Sequence, residues 1–257
     1  MCRHFAWLGR PRTLAELILE PSYGLPRQAA RPRWQNIDLV NRDGFGAGWF
    51  PPGEPVPAMS YRRAVPFEAD EGFAALAAQI SASCVLGAVR GASPGMPIEE
   101  AATAPFTNGG CLLSLNGHVS REKTTHLLEP GYVPESTCDA ALLATLLWQR
   151  LDRGLSLESA VTGLLHELAA LDPGACLNLL ATDGTRIVAT TWAETLCYRA
   201  EEDGVLVASE PHDDDPGWIP VPDRHVVVAD ALGVDVRPLQ GDAVTLSDNP
   251  LAGDPAA

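Results

Sequence analysis

Five residues have side chains or backbone groups that could do chemistry, and each also has a plain structural reading. A cysteine at position 2 needs only the loss of Met1 to carry a thiol and a free α-amine on one residue. A free α-amine has a pKa of about 7.7–8.0, so part of it is neutral near pH 7 and can take a proton. A nucleophile activated by its own N-terminal amine is one way to start acyl transfer. Cys2 also fits a small buried hydrophobe at the start of a strand. Arg90 ends the run Ala88-Val89-Arg90-Gly91-Ala92-Ser93, where its planar fork suits bidentate capture of a carboxylate. It equally fits a surface arginine paired with Glu99 or Glu100. Asn116 and Gly117 follow an apolar run and offer a side-chain amide and a backbone N–H. Two donors aimed at one point make an oxyanion hole, although Asn-Gly is also a common turn. The polar residues Ser120, Arg121 and Glu122 after Val119 make a poor return strand for such a hairpin. Asp139 reads either as an acid favoured in the first turn of a helix or as an anion that grips a substrate ammonium.

The elements that must position these residues follow from periodicity. Residues 3–8 read as a strand, and 11–20 carry Leu14, Leu17 and Ile18 at helical spacing. An irregular stretch is expected over 21–43, with Pro26 and Pro32 as breakers. The glycine-spaced aromatic segment 44–50 reads as a strand approached closely by other backbone. A Pro-rich loop over 51–70 and a helix over 71–83 precede strands at 84–89 and 111–115, separated by a loop over 90–106. Residues 139–151 and 157–171 are amphipathic helices, each with a leucine-rich face. Strands at 176–182 and 186–191 flank the turn Asp183-Gly184, and 196–199, 205–208 and 225–229 complete a strand-rich half. The tail 248–257 reads as frayed. No linker separates two domains, so residues 2–257 read as one α+β unit, two sheets packed with helices outside.

Composition narrows the function classes. The 257 residues are 46 % hydrophobic and 20 % charged, as in a soluble globular chain that needs neither disulfide nor metal for its core. A formal net charge of −15 makes nucleic acid and anionic membrane surfaces poor partners. The six cysteines are widely spaced with no C-x-x-C pair, no signal peptide precedes them, and no apolar run is long enough to span a bilayer. A reducing cytoplasm fits. His166-Glu167 lacks the second histidine of a zinc-protease helix, the histidines have no ligand spacing, and no phosphate-binding glycine loop is present. No metal or cofactor is expected. Asp213-Asp214-Asp215 reads as an acidic surface loop.

Met1-Cys2, an arginine-bearing strand end near 90, then Asn116-Gly117, then Asp139 opening a helix resemble, in that order, the class II glutamine amidotransferase family. The resemblance spans roughly residues 1–230. It implies an N-terminal-nucleophile hydrolase with an αββα four-layer sandwich. It also implies Cys2 as nucleophile with its α-amine as base, and an oxyanion hole of Asn116 and Gly117. Arg90 would hold a substrate α-carboxylate and Asp139 an α-ammonium. Met1-Cys2-Arg3-His4, Arg42 to Trp49, Ala88 to Met96, Ala104-Pro105-Phe106 and Ala208-Ser209-Glu210-Pro211 resemble one branch, a hydrolase of small γ-glutamyl amides. Ala88 stands where many members of the family carry histidine, and Asp139-Ala140-Ala141 replaces a common Asp-Ser-Glu run. Both departures point away from ordinary glutaminase activity. The second half offers no separate acceptor domain, so no obligatory synthase partner is expected. A glutaminase subunit docking on a separate synthase, or a non-enzymatic binding protein, would be the other readings. Trp49 or Asp213–Asp215 could meet a cationic leaving group.

Overall fold

The computed structural model describes residues 2–34, 40–52 and 57–239. Met1 and the tail expected at 248–257 lie outside the described residues. In chain order the elements are β1 (Arg3–Thr13), α1 (Leu14–Ile18), α2 (Leu25–Ala30), β2 (Gly44–Trp49), β3 (Met59–Arg63), α3 (Phe73–Ala77) and β4 (Ser81–Arg90). They continue with β5 (Phe106–Thr107), β6 (Leu112–His118), α4 (Arg121–Thr124), α5 (Asp139–Asp152), α6 (Leu157–Leu171) and β7 (Cys176–Thr182). The last are β8 (Ile187–Thr190), β9 (Cys197–Glu201), β10 (Gly204–Ala208), β11 (Ile219–Pro220), β12 (His225–Asp230) and β13 (Gly233–Pro238). One sheet runs β11-β9-β10-β1-β4-β2-β3 and the other β13-β12-β8-β7-β6-β5.

Strand alternation sorts side chains into layers. On β1, Phe5 and Trp7 face outward and pack with α1 to α3, while Ala6 faces the opposite sheet. On β6 and β7, Leu113, Leu115, Leu177 and Leu179 face outward against α5 and α6, while Leu112 and Leu180 face inward. Helix α6 buries Leu157, Ala160, Val161, Leu164, Leu165 and Leu168, a stripe at three- and four-residue spacing. The result is an α+β sandwich of four layers, helices–sheet–sheet–helices.

The helix expected over 11–20 begins only at Leu14, because β1 continues to Thr13 and Thr13 caps α1 in a reciprocal box with Glu16. The helix expected over 71–83 shrinks to α3; from Ser81 the chain alternates exposed and buried residues and pairs with Arg12 and Thr13 of β1. The stretch read as irregular over 21–43 contains α2, since Pro26 sits in the first helical turn, where a missing N–H costs nothing. The expected Pro-rich loop contains β3, an edge strand. Asn116 and Gly117 lie inside β6 and form no hairpin turn.

The inner face of β2 is glycine at Gly44, Gly46 and Gly48 because another segment lies against its backbone. A Cβ at Gly46 would stand 2.3 Å from the Ala104 carbonyl oxygen, and one at Gly44 would stand 2.7 Å from Thr103 Oγ1. The glycines therefore let residues 103–105 close one wall over the sheet. Gly46→Ala should cost about 1–3 kcal/mol of stability through overpacking. Urea unfolding checks this, and an unchanged midpoint would contradict the close approach.

Candidate active site

Four of the five sequence-derived residues, Cys2, Arg90, Gly117 and Asp139, line one cavity. The fifth, Asn116, adjoins it through Cys2: the Cys2 backbone N–H donates to Asn116 Oδ1 at 3.1 Å. Asn116 is fully buried, and its Nδ2 has no hydrogen-bond partner among the described residues. A buried donor left unpaired is costly, so this amide is an N–H waiting for an acceptor. Gly117 follows with φ of 153°, and a Cβ there would stand 2.0 Å from the Cys176 carbonyl oxygen. Only glycine fits where β6 passes β7 this closely.

Arg90 sits at the end of β4 opposite Gly44 and is 8 % exposed. Its Nη1 also lacks a partner among the described residues. Its expected surface partners are engaged elsewhere: Glu99 accepts from Ser136 Oγ, and Glu100 lies beside Arg63. Sequence reasoning missed Asp43. Its N–H donates to the Arg90 carbonyl at 2.9 Å, and its Oδ2 accepts from Ala92 N–H at 2.7 Å. Asp43 thus clamps the backbone on both sides of Gly91, immediately after Arg90. Asp139 opens α5 behind Cys138, whose Sγ accepts from Ala141 N–H as the N-cap. The Asp139 carboxylate is aimed by Val119 N–H at 3.1 Å and by Ala140 N–H at 2.9 Å. A guanidinium and a carboxylate on separate elements thus face one cavity that also holds a thiol.

Neither candidate for a cationic leaving group lines this cavity. Trp49 packs into the helix-side core of the first sheet. Asp213 takes both oxygens to Arg199 Nη1 and accepts from Trp218 Nε1. Burial pushes its carboxyl up, but the Trp218 and Arg199 hydrogen bonds outweigh that and hold it below the usual range. Among the described residues no group of three or more His, Cys, Asp or Glu could hold a metal ion, and no helix is long and apolar enough to cross a membrane.

Over 239 residues the chain is 46 % identical to the γ-glutamyl-hercynylcysteine sulfoxide hydrolase of Mycolicibacterium smegmatis, covering 93 % of this chain and 100 % of that one. It is 43 % identical over 239 residues to the Mycobacterium tuberculosis protein of the same name, covering 93 % and 97 %. The chain belongs to the γ-glutamyl-hercynylcysteine sulfoxide hydrolase family. A class II glutamine amidotransferase domain protein from Silicibacter pomeroyi shares its fold, with a TM-score of 0.65 at 20 % identity, covering 93 % of this chain and 100 % of that one. No family model matches the chain.

Within this γ-glutamyl-hercynylcysteine sulfoxide hydrolase family member, the thiols divide by environment. All six cysteines are unpaired, and Cys2 and Cys176 alone are partly exposed. Burial pushes the Cys84 thiol up to about 12 and raises Cys111, Cys138 and Cys197 as well. The thiolate is the reactive form. Brief treatment with iodoacetamide near neutral pH should therefore modify Cys2 and spare these four in the folded protein. Peptide mass mapping reads the result; alkylation of Cys84 or Cys111 at a rate comparable to Cys2 would contradict the burial.

Proposed function

We propose that the chain hydrolyses the γ-glutamyl amide of γ-glutamyl-hercynylcysteine sulfoxide, releasing glutamate and hercynylcysteine sulfoxide, a step of ergothioneine biosynthesis. Residues 2–257 act as one domain with Met1 removed, in the cytoplasm, without a synthase partner. The observation that carries the reading is the pairing of Cys2 with Asn116: the amide oxygen takes the Cys2 N–H and leaves Nδ2, beside the thiol-bearing residue, without a partner among the described residues.

In this reading the Cys2 α-amine takes the thiol proton as sulfur attacks the γ-carbonyl carbon. The carbonyl π electrons move to oxygen, and the oxyanion rests on Asn116 Nδ2 and Gly117 N–H. The protonated amine then gives its proton to the leaving nitrogen as the C–N bond breaks, and glutamate stays on sulfur as a γ-thioester. Water adds to the thioester carbonyl with the amine again as base. Collapse of that second adduct breaks the C–S bond, frees glutamate and returns the proton to sulfur. Arg90 pairs with the substrate α-carboxylate through its fork, and Asp139 with the α-ammonium. Both charged groups on the α-carbon are thereby fixed, and the γ-carbonyl carbon at the other end of the glutamyl chain is delivered to the thiol.

Glutamate release should be strong from γ-glutamyl-hercynylcysteine sulfoxide, weak from glutamine and abolished by Cys2→Ala. Asn116→Ala should lower kcat by roughly 10²–10³, the usual cost of one oxyanion donor. Arg90→Lys should raise KM because a point charge replaces a planar fork. Release from glutamine alone would turn the reading toward an ammonia-delivering subunit, and turnover by Cys2→Ala would overturn it.

A further inference from the structure

The layer between the two sheets is apolar, built from Ala6, Leu86, Leu112, Leu180 and their neighbours. A polar column interrupts it beneath Cys2. His4 lies on β1 two residues after Cys2, which directly precedes the strand, and Ser114 lies two residues from Asn116 on the same face of β6. His4 Nδ1 meets Ser114 Oγ at 3.1 Å across the sheets. Both residues are fully buried. The His4 backbone is held as well: its N–H donates to Ser209 Oγ at 3.1 Å, and its carbonyl accepts from Ser209 N–H at 2.9 Å.

A fully buried imidazole whose Nε2 has no partner among the described residues costs free energy that a leucine would not. What the imidazole does supply is a directed bond between the strand that carries the nucleophile and the strand that carries the amide. Cys2 to Asn116 forms the upper rung at the cavity, and His4 to Ser114 the lower rung two residues farther in. Two rungs fix separation and rotation between β1 and β6, whereas one rung alone can swing.

We propose that His4, through Ser114, is a positioning residue that holds Cys2 in register with the oxyanion donors Asn116 and Gly117. The inference rests on the proposed roles of Cys2 and Asn116. Burial, and then the charge of Arg3, lowers the His4 pKa to about 3, so the rung is made by a neutral ring throughout the working range. A misplacement near 1 Å at a reacting atom can cost about 10²-fold in rate. The lower rung should therefore act on kcat and leave the grip of Arg90 and Asp139 untouched.

The test uses the full-length protein, with kcat normalised to titratable Cys2 thiol so that misfolded molecules do not count. Ser114→Ala should lower kcat about 10-fold with KM within about two-fold, as expected for loss of alignment alone. His4→Leu should lose more, and His4→Asn, which keeps a polar atom at the Nδ1 position, should recover part of the loss. In an Asn116→Ala background the Ser114→Ala change should cost less than about two-fold further, because coupled residues are non-additive. If His4→Leu does not fold, Ser114→Ala and the double mutant carry the test. Normal kcat in Ser114→Ala, or the same fold-loss in both backgrounds, would overturn the positioning role. Near-normal kcat in Asn116→Ala itself would instead overturn the proposed chemistry.

Discussion

The site depends on one bond between layers, from the Cys2 N–H to Asn116 Oδ1, which joins residues 114 apart in sequence. It runs between sheets and not along one. The start of β1 and the end of β6 belong to different sheets, and their inner faces meet only because small and aliphatic side chains fill the space between. The bond also decides which end of the amide is used. With Oδ1 committed to Cys2, Nδ2 is left as a donor without a partner among the described residues, and in the proposed oxyanion role such a preformed donor would need no reorganisation.

The walls follow from the same layering. The inner face of β4 carries Ala88 and Arg90 into the space between the sheets, and the glycine face of β2 lets residues 103–105 lie over it. The first turn of α5 brings Asp139 in from the outer layer of the second sheet. Opposite charges therefore arrive from opposite sides, each held by backbone groups: Arg90 by the Asp43 clamp and Asp139 by two N–H donors. Holding the Asp139 carboxylate by main-chain N–H groups spares the entropy of ordering it, while the Asp43 bonds fix the main chain from which Arg90 projects.

The five candidate residues stood out as a set because their types are demanding and their order along the chain is distinctive, and the fold brings four of them to one cavity with Asn116 beside it. Helix α6 and strand β7 were legible to the residue, since an unbroken 3.6-residue leucine stripe and a strand ending at Asp-Gly leave little choice. Other elements were hidden for identifiable reasons. Helix α2 begins Leu25-Pro26, and a proline read as a breaker is tolerated in a first turn. Strand β3 is half-exposed throughout, so no alternation marks it, and β13 sits at the other sheet edge with one weakly buried face. Asp43, His4 and Ser114 were invisible as functional candidates because their partners lie 47 to 205 residues away. A lone aspartate before a glycine, or a histidine in an apolar strand, has no local pattern to betray such a partner.

The account stands or falls on Cys2 as a processed, acylated residue. Rapid acid quench of the protein during turnover of γ-glutamyl-hercynylcysteine sulfoxide, followed by intact-mass and peptide analysis, tests it most directly. The account predicts an N-terminal peptide beginning at Cys2, part of it carrying a γ-glutamyl group on sulfur that disappears when substrate is exhausted. Full turnover by protein that retains Met1, or a glutamyl adduct on any other residue, would contradict it.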